Sequence, residues 1–110
     1  MKEAYIGVDI GSSGCKAIAV DGEGKTLGVQ SVRYDNTLVC TGLGCYEQPA
    51  RVLRDAGLDC IRALVRELGP DRRTAAIGLT GQMHGLVALD EHLEPLRPIL
   101  SCVDFRNEKQ

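Results

Sequence analysis

Residues 5–16 read Tyr-Ile-Gly-Val-Asp-Ile-Gly-Ser-Ser-Gly-Cys-Lys, and they predict how the chain begins to form a sheet. Its first half, Tyr5 to Ile10, is a short apolar run that is typical of a buried strand. The small residues from Gly11 to Gly14 predict a tight turn, and the apolar run from Cys15 to Asp21 predicts a second strand. We therefore expect two antiparallel strands joined by a turn, with Asp9 held at the end of the first strand.

A third strand is predicted after a second turn. Residues 21–24 read Asp-Gly-Glu-Gly, which is a strong turn signal. Thr26 to Tyr34 alternates in the way that a strand does, so the first three strands are expected to form an antiparallel meander. Residues 35–47 are polar and contain glycine, and we expect them to form a connection.

A helix and a fourth strand are predicted after this connection. Pro49 suits the first turn of a helix, and from Leu53 to Leu68 apolar residues recur at helical spacing until Gly69-Pro70 ends the helix. Thr74 to Thr80 predicts the fourth strand, and Leu86 to Leu89 predicts a further extended piece. The expected fold class is α/β, a mixed sheet that begins with the three-stranded meander and carries one packed helix. Because one helix covers one face of a sheet, we expect the other face to lack a cover.

The composition is that of an ordinary globular domain. The chain has 110 residues, of which 44% are hydrophobic and 25% charged, and its net charge is −2, which suits a single domain. No basic block indicates nucleic acid, and no apolar stretch approaches the thickness of a bilayer, so neither is expected as a partner. The N-terminus leads directly into a strand-like run, so we expect no signal peptide and a cytoplasmic location.

The cysteines indicate a reducing compartment. There are five of them, an odd number, and no two have CxxC spacing. This pattern argues against a disulfide framework and against a zinc site.

The turn after the first strand is the first candidate site. Asp9 offers a carboxylate to Mg²⁺, a hard cation that prefers oxygen ligands. The small residues Gly11, Ser12 and Ser13 leave backbone N–H groups accessible to a phosphate oxygen. Lys16 adds positive charge. The stretch matches neither a Walker loop nor a dinucleotide fingerprint, and a plain hairpin turn with an incidental aspartate is the alternative.

The second candidate site follows the fourth strand. Residues 80–85 read Thr-Gly-Gln-Met-His-Gly, and ligand contacts in α/β proteins occur at strand ends. The amide of Gln82 and the imidazole of His84 both donate and accept hydrogen bonds, as sugar hydroxyls require of their partners. The alternative is a glycine-rich loop in which His84 is solvated and Met83 fills the core.

Asp104 and Arg106 form a third candidate pair. Two residues apart on an extended segment, they face the same side and can line one pocket. An exposed ion pair is the alternative.

The order and spacing of these motifs resemble one enzyme family. Residues 5–16 resemble the first phosphate motif of the FGGY carbohydrate kinases, which belong to the actin, hexokinase and Hsp70 superfamily and have a ribonuclease-H-like fold. Residues 77–87, Ile-Gly-Leu-Thr-Gly-Gln-Met-His-Gly-Leu-Val, are similar to the xylulokinase branch, in which the Met-His pair touches the ketose. Tyr46-Glu47-Gln48 is similar to the family's Glu-Gln step before the helix, and Asp104-Phe105-Arg106 to its Asp-x-Arg. The resemblance covers essentially the whole chain, and Cys102 stands where the family usually has tryptophan.

The resemblance implies a function and a set of site residues. Residues 1–110 would be a partial N-terminal, sugar-binding domain of a kinase that transfers phosphoryl from ATP to a hydroxyl of D-xylulose or a related ketose. Related branches act on other ketoses, polyols or gluconate. By the resemblance, Asp9 holds Mg²⁺, the ATP phosphates contact Gly11, Ser12, Ser13 and Lys16, and the sugar contacts Gln82, Met83, His84, Asp104 and Arg106.

The resemblance also implies that part of the active site lies elsewhere. The family's catalytic base and its C-terminal ATP-binding domain would lie beyond residue 110, so we expect the 110-residue chain alone to be inactive. Two alternatives stay open: a stand-alone, non-catalytic binding module, and one half of a split kinase whose other half associates in trans. The uncovered sheet face also permits self-association.

Overall fold

The computed structural model describes residues 2–34, 39–42, 45–82 and 85–100. Within these ranges the chain forms the following elements in order: β1 (Lys2–Ile10), β2 (Gly14–Val20), β3 (Thr26–Arg33), β4 (Val39–Gly42), β5 (Cys45–Gln48), α1 (Ala50–Leu68), β6 (Arg72–Gly81) and β7 (Ile99–Leu100). In the part of the chain that the structure describes, no helix combines the length and the hydropathy of a membrane span.

The main sheet has the strand order β3-β2-β1-β6. β1 to β3 pair antiparallel as the predicted meander, and β6 returns parallel to β1. The predicted mixed sheet is therefore confirmed. Ile10 pairs with Gly81 at the last position of the β1–β6 ladder, so these two parallel strands end at the same edge of the sheet.

The core lies between one face of this sheet and α1. Alternate residues of β1 and β2 point to this face, because side chains along a strand alternate between its two sides. The helix contributes residues at helical spacing. The core consists of Ala4, Ile6, Val8, Cys15, Ala17 and Ala19 from the strands, Tyr34 after β3, and Leu53, Ala56, Cys60 and Leu64 from α1, all at most 6% exposed.

Both predicted ends of the helix are confirmed. Pro49 is the N-cap, with an extended backbone (φ −67°, ψ 119°), and its fixed φ suits the start of a helix. Gly69 follows the last helical residue with φ 77°, and its N–H donates to the carbonyl oxygen of Val65 at 3.3 Å. A residue with a side chain is disfavoured at that φ, so glycine ends the helix here.

The sheet face opposite α1 has no cover within the described part of the chain. Tyr5, Ile18 and Val29 lie on it and are 38 to 45% exposed, as expected for a sheet with a single packed helix. On the helix side, Ile77 and Leu79 are also exposed, because α1 packs mainly over β2 and β3 and leaves β6 bare.

The segment predicted as a connection contains two short strands, so that prediction was partly wrong. β4 and β5 pair antiparallel, and β5 also pairs with β7, where Gln48 is opposite Ile99. Strands of four residues are too short for a periodic pattern, and β5 also depends on β7, a partner about 50 residues further along the chain. The predicted extended piece at 86–89 forms isolated bridges, Leu86 with Leu100 and Leu89 with Pro95.

Candidate functional site

Two candidate loops lie side by side at one edge of the main sheet. β1 and β6 run parallel and end in register at Ile10 and Gly81. The Gly11–Gly14 turn continues from β1, and Gln82 continues from β6. This topology brings the first and second candidate sites together, as the carboxyl ends of adjacent parallel strands do in α/β proteins.

Tyr34 supports the Gly11–Gly14 turn from inside the core. Its hydroxyl is within hydrogen-bond distance of two carbonyl oxygens, that of Gly11 and, at 2.9 Å, that of Gly14. Its backbone N–H donates to the carbonyl oxygen of Ser13 at 3.1 Å. Gly11 closes the turn by donating its own N–H to the Gly14 carbonyl oxygen at 2.9 Å. Tyr34 therefore fixes three of the four carbonyl groups of the turn.

The fourth carbonyl group of the turn is held by Gln48, the last residue of β5. Gln48 is fully buried, and its Nε2 donates to the carbonyl oxygen of Ser12 at 2.6 Å. Its Oε1 accepts a hydrogen bond from Nε2 of Gln82 at 2.7 Å. A single buried amide thus contacts both candidate loops.

These contacts leave two backbone N–H groups of the turn without an acceptor among the described residues. All four carbonyl oxygens of Gly11–Gly14 accept hydrogen bonds from the protein. The backbone N–H groups of Ser12 and Ser13 donate to no other described residue, and both serines are exposed. Successive N–H groups of a turn that have no partner in the protein are the donors from which anion-binding concavities are built.

An open recess of about 280 Å³ lies beside the turn, on the sheet face opposite α1. Asp9 and Lys16 are paired across β1 and β2, so their carboxylate and ammonium groups share this face. The recess is lined by Asp9, Ser13, Gly14, Cys15, Lys16, Ser31, Val32 and Arg33. The structure therefore brings together three of the predicted phosphate and metal residues, Asp9, Ser13 and Lys16.

The donor set at this recess fits Mg²⁺ bound together with phosphate. Asp9 supplies one exposed carboxylate, and in the described part of the chain no group of three His, Cys, Asp or Glu residues comes together as a complete metal site. Mg²⁺ is commonly held by one or two carboxylates, with phosphate oxygens and water completing its octahedron. Lys16 and Ser13 line the same recess, where an ammonium and a backbone N–H group would be available to such phosphate oxygens.

A second recess, of about 270 Å³, lies on the helix side of the same edge. Its walls are mostly apolar, and its lining includes Gln82 and Gly85 of the second candidate loop together with Leu53, Val87 and Ile99. Oε1 of Gln82 is buried and accepts no hydrogen bond from any residue that the structure describes. A buried carbonyl of this kind is costly to leave unpaired, so this loop holds an acceptor that a donor would stabilise.

Two ion pairs hold the segment that follows the second loop, one between Arg97 and Glu47 and one between Arg51 and Glu94. Arg97 Nη2 lies 2.9 Å from Oε1 of the mostly buried Glu47. Arg51, in the first turn of α1, lies 2.6 Å from Glu94. Together with the pairing of β5 and β7, these contacts fix residues 85–100 against the Glu47-Gln48 step.

Burial keeps the groups beneath the turn neutral. Burial raises the pKa of the Cys15 thiol to about 11, with Cys60 as a further cause. Burial likewise raises the pKa of the Tyr34 hydroxyl to about 12. Cys60 Sγ is 3.9 Å from the carbonyl oxygen of Cys15, and both are free thiols. A thiol with so high a pKa is unreactive. Cys15 and Cys60 are both buried, so we assign the two side chains to the core.

Some predicted site residues lie outside the described residues. These are Met83, His84, Asp104 and Arg106, together with Cys102, and their roles stay predictions. Sequence reasoning missed Tyr34, Ser31 and Arg33 as site residues. The alternation of β3 places Ser31 and Arg33 on one face, but which face they occupy depends on the register with β2.

Comparison with known proteins identifies the family. Residues 4–110 match the model of the FGGY family of carbohydrate kinases, N-terminal domain. The xylulose kinase of Staphylococcus epidermidis is 34% identical over 111 aligned positions, which cover 100% of this chain and 22% of the relative. Among solved structures, the gluconate kinase of Lactobacillus acidophilus superposes with a TM-score of 0.87 and 27% identity, covering 99% of this chain and 21% of that one. The ligand-bound xylulose kinase of the same organism superposes with a TM-score of 0.85 and 27% sequence identity, covering 97% of this chain and 21% of that one.

These matches place the sequence within a longer architecture. The chain spans about a fifth of the length of the relatives it matches. The match covers almost all of this chain and includes both candidate loops. The chain belongs to the FGGY family of carbohydrate kinases, and its residues 4–110 match the N-terminal domain of that family.

Proposed function

We propose that this chain is the N-terminal portion of an ATP-dependent carbohydrate kinase that phosphorylates a hydroxyl of D-xylulose or a related ketose. The observation that carries the proposal is the Gly11–Gly14 turn. Its four carbonyl oxygens all accept hydrogen bonds from the protein, whereas the exposed Ser12 and Ser13 donate their N–H groups to no other described residue. Asp9 and Lys16 line the same recess as Ser13. Such a turn suits the phosphate side of a phosphoryl-transfer site.

In this proposal, each residue of the phosphate side contributes positioning or charge. Ser12 and Ser13 donate backbone N–H groups to phosphate oxygens, and Lys16 offsets their negative charge. Asp9 would hold Mg²⁺, which when bound neutralises charge on the ATP phosphates. Phosphoryl transfer needs little covalent chemistry from the protein, so positioning of this kind is the main contribution.

The sugar side of the proposal rests on the loop after β6. Gln82 lies beside the phosphate turn, and its buried Oε1 has no donor within the described part of the chain. With Met83 and His84, and with Asp104 and Arg106, it would form the sugar contacts. Relatives named as xylulose kinases and as gluconokinases both match this chain, so gluconate is the second substrate to test.

A chimera tests the proposal. Residues 1–110 replace the matching segment of the Staphylococcus epidermidis xylulose kinase, and ADP formation is measured with D-xylulose and with gluconate. We expect ATP-dependent phosphorylation of D-xylulose. Asp9→Asn should lower kcat/KM by about a hundredfold or more, because it removes a charge that positions the transferred group. The matched control is Asp59→Asn, which makes the same change on the exposed surface of α1 and should leave the rate unchanged.

The outcomes separate this proposal from its alternatives. A folded chimera that binds ATP but phosphorylates neither sugar would contradict it. If the chimera phosphorylates gluconate in preference to D-xylulose, the proposed kinase activity stands and the proposed substrate is wrong. The 110-residue chain alone should show no turnover, because half of the cleft cannot stabilise the transferred phosphoryl group from both sides. Sugar binding by that chain without any activity in the chimera would favour a non-catalytic binding module, and activity restored by a separate second polypeptide would favour a split kinase.

A further inference from the structure

Gln48 contacts both loops of the candidate site through one side chain. It is 0% exposed. Its side-chain nitrogen donates a hydrogen bond to Ser12, 36 positions away in sequence, and its side-chain oxygen accepts one from Gln82, 34 positions away. Burying an amide costs free energy unless its donor and acceptor are both satisfied. Both ends are satisfied here, and each partner belongs to a different loop.

The carbonyl oxygen of Ser12 determines which group donates and which accepts in both hydrogen bonds. The Ser12 carbonyl oxygen can only accept, so the Gln48 amide must present Nε2 to it. Oε1 of Gln48 then faces Gln82, which must present its own Nε2. Reversing either amide would bring two oxygens together, since amide oxygens only accept hydrogen bonds. The chain Ser12–Gln48–Gln82 therefore has one allowed orientation, and we call it the amide relay.

The middle of the amide relay is held by regular structure. Gln48 ends β5 and pairs with Ile99 of β7. Pro49 and α1 follow it directly. The Gln48 backbone therefore cannot shift without moving the helix or the small sheet, whereas the Gly11–Gly14 turn and Gln82 lie at strand ends. A rigid centre with two bonded arms fixes the distance between the two loops.

We infer that Gln48 is a positioning residue that sets the phosphate-binding turn and the sugar-binding loop at a fixed separation. The inference rests on the proposed function for the names of the two ligands, although the relay itself does not. Ligand-induced movement of one loop is transmitted to the other through the two hydrogen bonds. A rate that depends on near-contact between a phosphoryl group and a hydroxyl is sensitive to this separation.

Amide hydrogen exchange of the 110-residue chain tests the relay without ATP or sugar. The reporters are the N–H groups of Gly11 at the turn, which donates to Gly14, and of Leu86 beyond the second loop, which donates to Leu100. Gln48→Met keeps the approximate volume and removes both hydrogen bonds. We expect exchange at both reporters to become roughly tenfold faster, as for the loss of a typical hydrogen bond. The N–H of Gly69, at the far end of α1, should not change.

The matched control is Gln30→Met. Gln30 also donates its amide to another side chain, Oε2 of Glu67 at 3.0 Å, but it contacts neither loop. This variant should leave exchange at Gly11 and Leu86 unchanged. Equal acceleration at Gly11, Leu86 and Gly69 in Gln48→Met would mean global loss of stability, and acceleration at one loop alone would mean no link between them. Either result overturns the inference.

Gln48→Glu allows the turn to be followed as a function of pH, and a side chain that only filled space would give no such dependence. While protonated, the introduced carboxyl can donate to the Ser12 carbonyl oxygen and still accept from Gln82. Once ionised it only accepts, and the bond to Ser12 is lost. We expect the nitrogen-15 and proton shifts of Gly11 to match wild type at low pH and to depart from it as the carboxyl ionises, while the side-chain amide signal of Gln82 persists. A Gly11 signal that does not change with this ionisation contradicts the relay.

The kinase chimera supplies the functional readout. There, Gln48→Met should lower kcat/KM roughly tenfold while Gln30→Met leaves it unchanged. If the wild-type chimera is inactive, the proposed function fails, yet the exchange result still decides the relay. If the chimera is active and Gln48→Met leaves both kinetics and exchange unaltered, the relay fails and the proposed function stands.

Discussion

The hydroxyl of Tyr34 lies 2.9 Å from the carbonyl oxygen of Gly14. It also contacts the carbonyl oxygen of Gly11 at the other end of the same turn. Tyr34 is a core residue, 6% exposed, so a buried phenol determines the shape of a turn whose outer side is open to an anion. The stability of the core and the shape of the turn are therefore coupled at this residue.

Tyr34→Phe should destabilise the chain and loosen the turn. The substitution keeps the ring but leaves the Gly11 carbonyl oxygen without its hydroxyl partner, which costs about 1 to 2 kcal/mol for a buried acceptor. Urea denaturation measures the free energy of unfolding. The matched control is Tyr5→Phe, which removes a hydroxyl that bonds Glu3 at the surface and should change stability by no more than about 0.5 kcal/mol. Equal effects from the two variants would contradict the role assigned to Tyr34.

Stability should fall as the pH rises above about 9. Burial raises the pKa of Cys15 from 9.0 to about 11 and that of Tyr34 from 10.0 to about 12. Between these values the folded chain keeps protons that the unfolded chain has lost, so the free energy of unfolding decreases with pH. The stabilisation is complete below pH 9 and is lost progressively towards pH 12. Urea titrations under reducing conditions at several pH values measure it.

The variants of the two buried groups divide this pH range. Cys15→Ala should flatten the decline between about pH 9 and 11, and Tyr34→Phe should flatten it between about pH 10 and 12. Glu3 also raises the pKa of Tyr5, and Tyr5→Phe separates that surface contribution. A wild-type stability that is constant from pH 8 to 11.5 would contradict the burial assigned to both groups.

The parts of the fold that sequence predicted are those set by neighbouring residues. The β1–turn–β2 unit depends on an apolar run, a glycine-serine turn and a second apolar run within 16 residues. Helix α1 depends on Pro49, Gly69 and the apolar spacing between them. In both cases propensity, turn chemistry and periodicity agree, and the structure confirms them.

The parts that sequence did not predict depend on distant partners. β5 is a strand because β4 and β7 pair with it, and its four residues carry too little alternation to indicate this. Gln48 was named from the sequence only because Tyr46-Glu47-Gln48 resembles the family's Glu-Gln step. The role assigned to Gln48 depends on Ser12, 36 residues earlier in the chain. Tyr34 was predicted as the end of a strand, and nothing in the sequence indicated that its hydroxyl would reach the Gly11–Gly14 turn.

Gly14→Ala should be poorly tolerated although Gly14 lies in a strand. A Cβ atom at this position would lie 3.0 Å from the carbonyl oxygen of Val32, a backbone atom that cannot move away without disturbing β3. We expect a loss of about 1 to 3 kcal/mol in the free energy of unfolding. The control is Gly22→Ala, where a Cβ would meet nothing within 4 Å. If Gly14→Ala is as stable as Gly22→Ala, the close β2–β3 packing at the turn is wrong.

Leu64→Ala should be the most destabilising single substitution in the helix. Leu64 is 0% exposed and packs into the core between α1 and the sheet, so truncation removes buried apolar surface and leaves a cavity, at a cost of about 2 to 5 kcal/mol. Leu58→Ala is the matched control, because Leu58 is 40% exposed on the same helix and should cost far less.

A chain of this size has little stability to lose, so Leu64→Ala can unfold it outright. Leu64→Met keeps the measurement informative, since it nearly conserves volume and should cost less than about 1.5 kcal/mol. Thermal denaturation followed by circular dichroism should rank the melting temperatures as wild type, then Leu64→Met and Leu58→Ala, then Leu64→Ala. If Leu64→Ala and Leu58→Ala have the same melting temperature, α1 does not pack on the sheet through the face that carries Leu64.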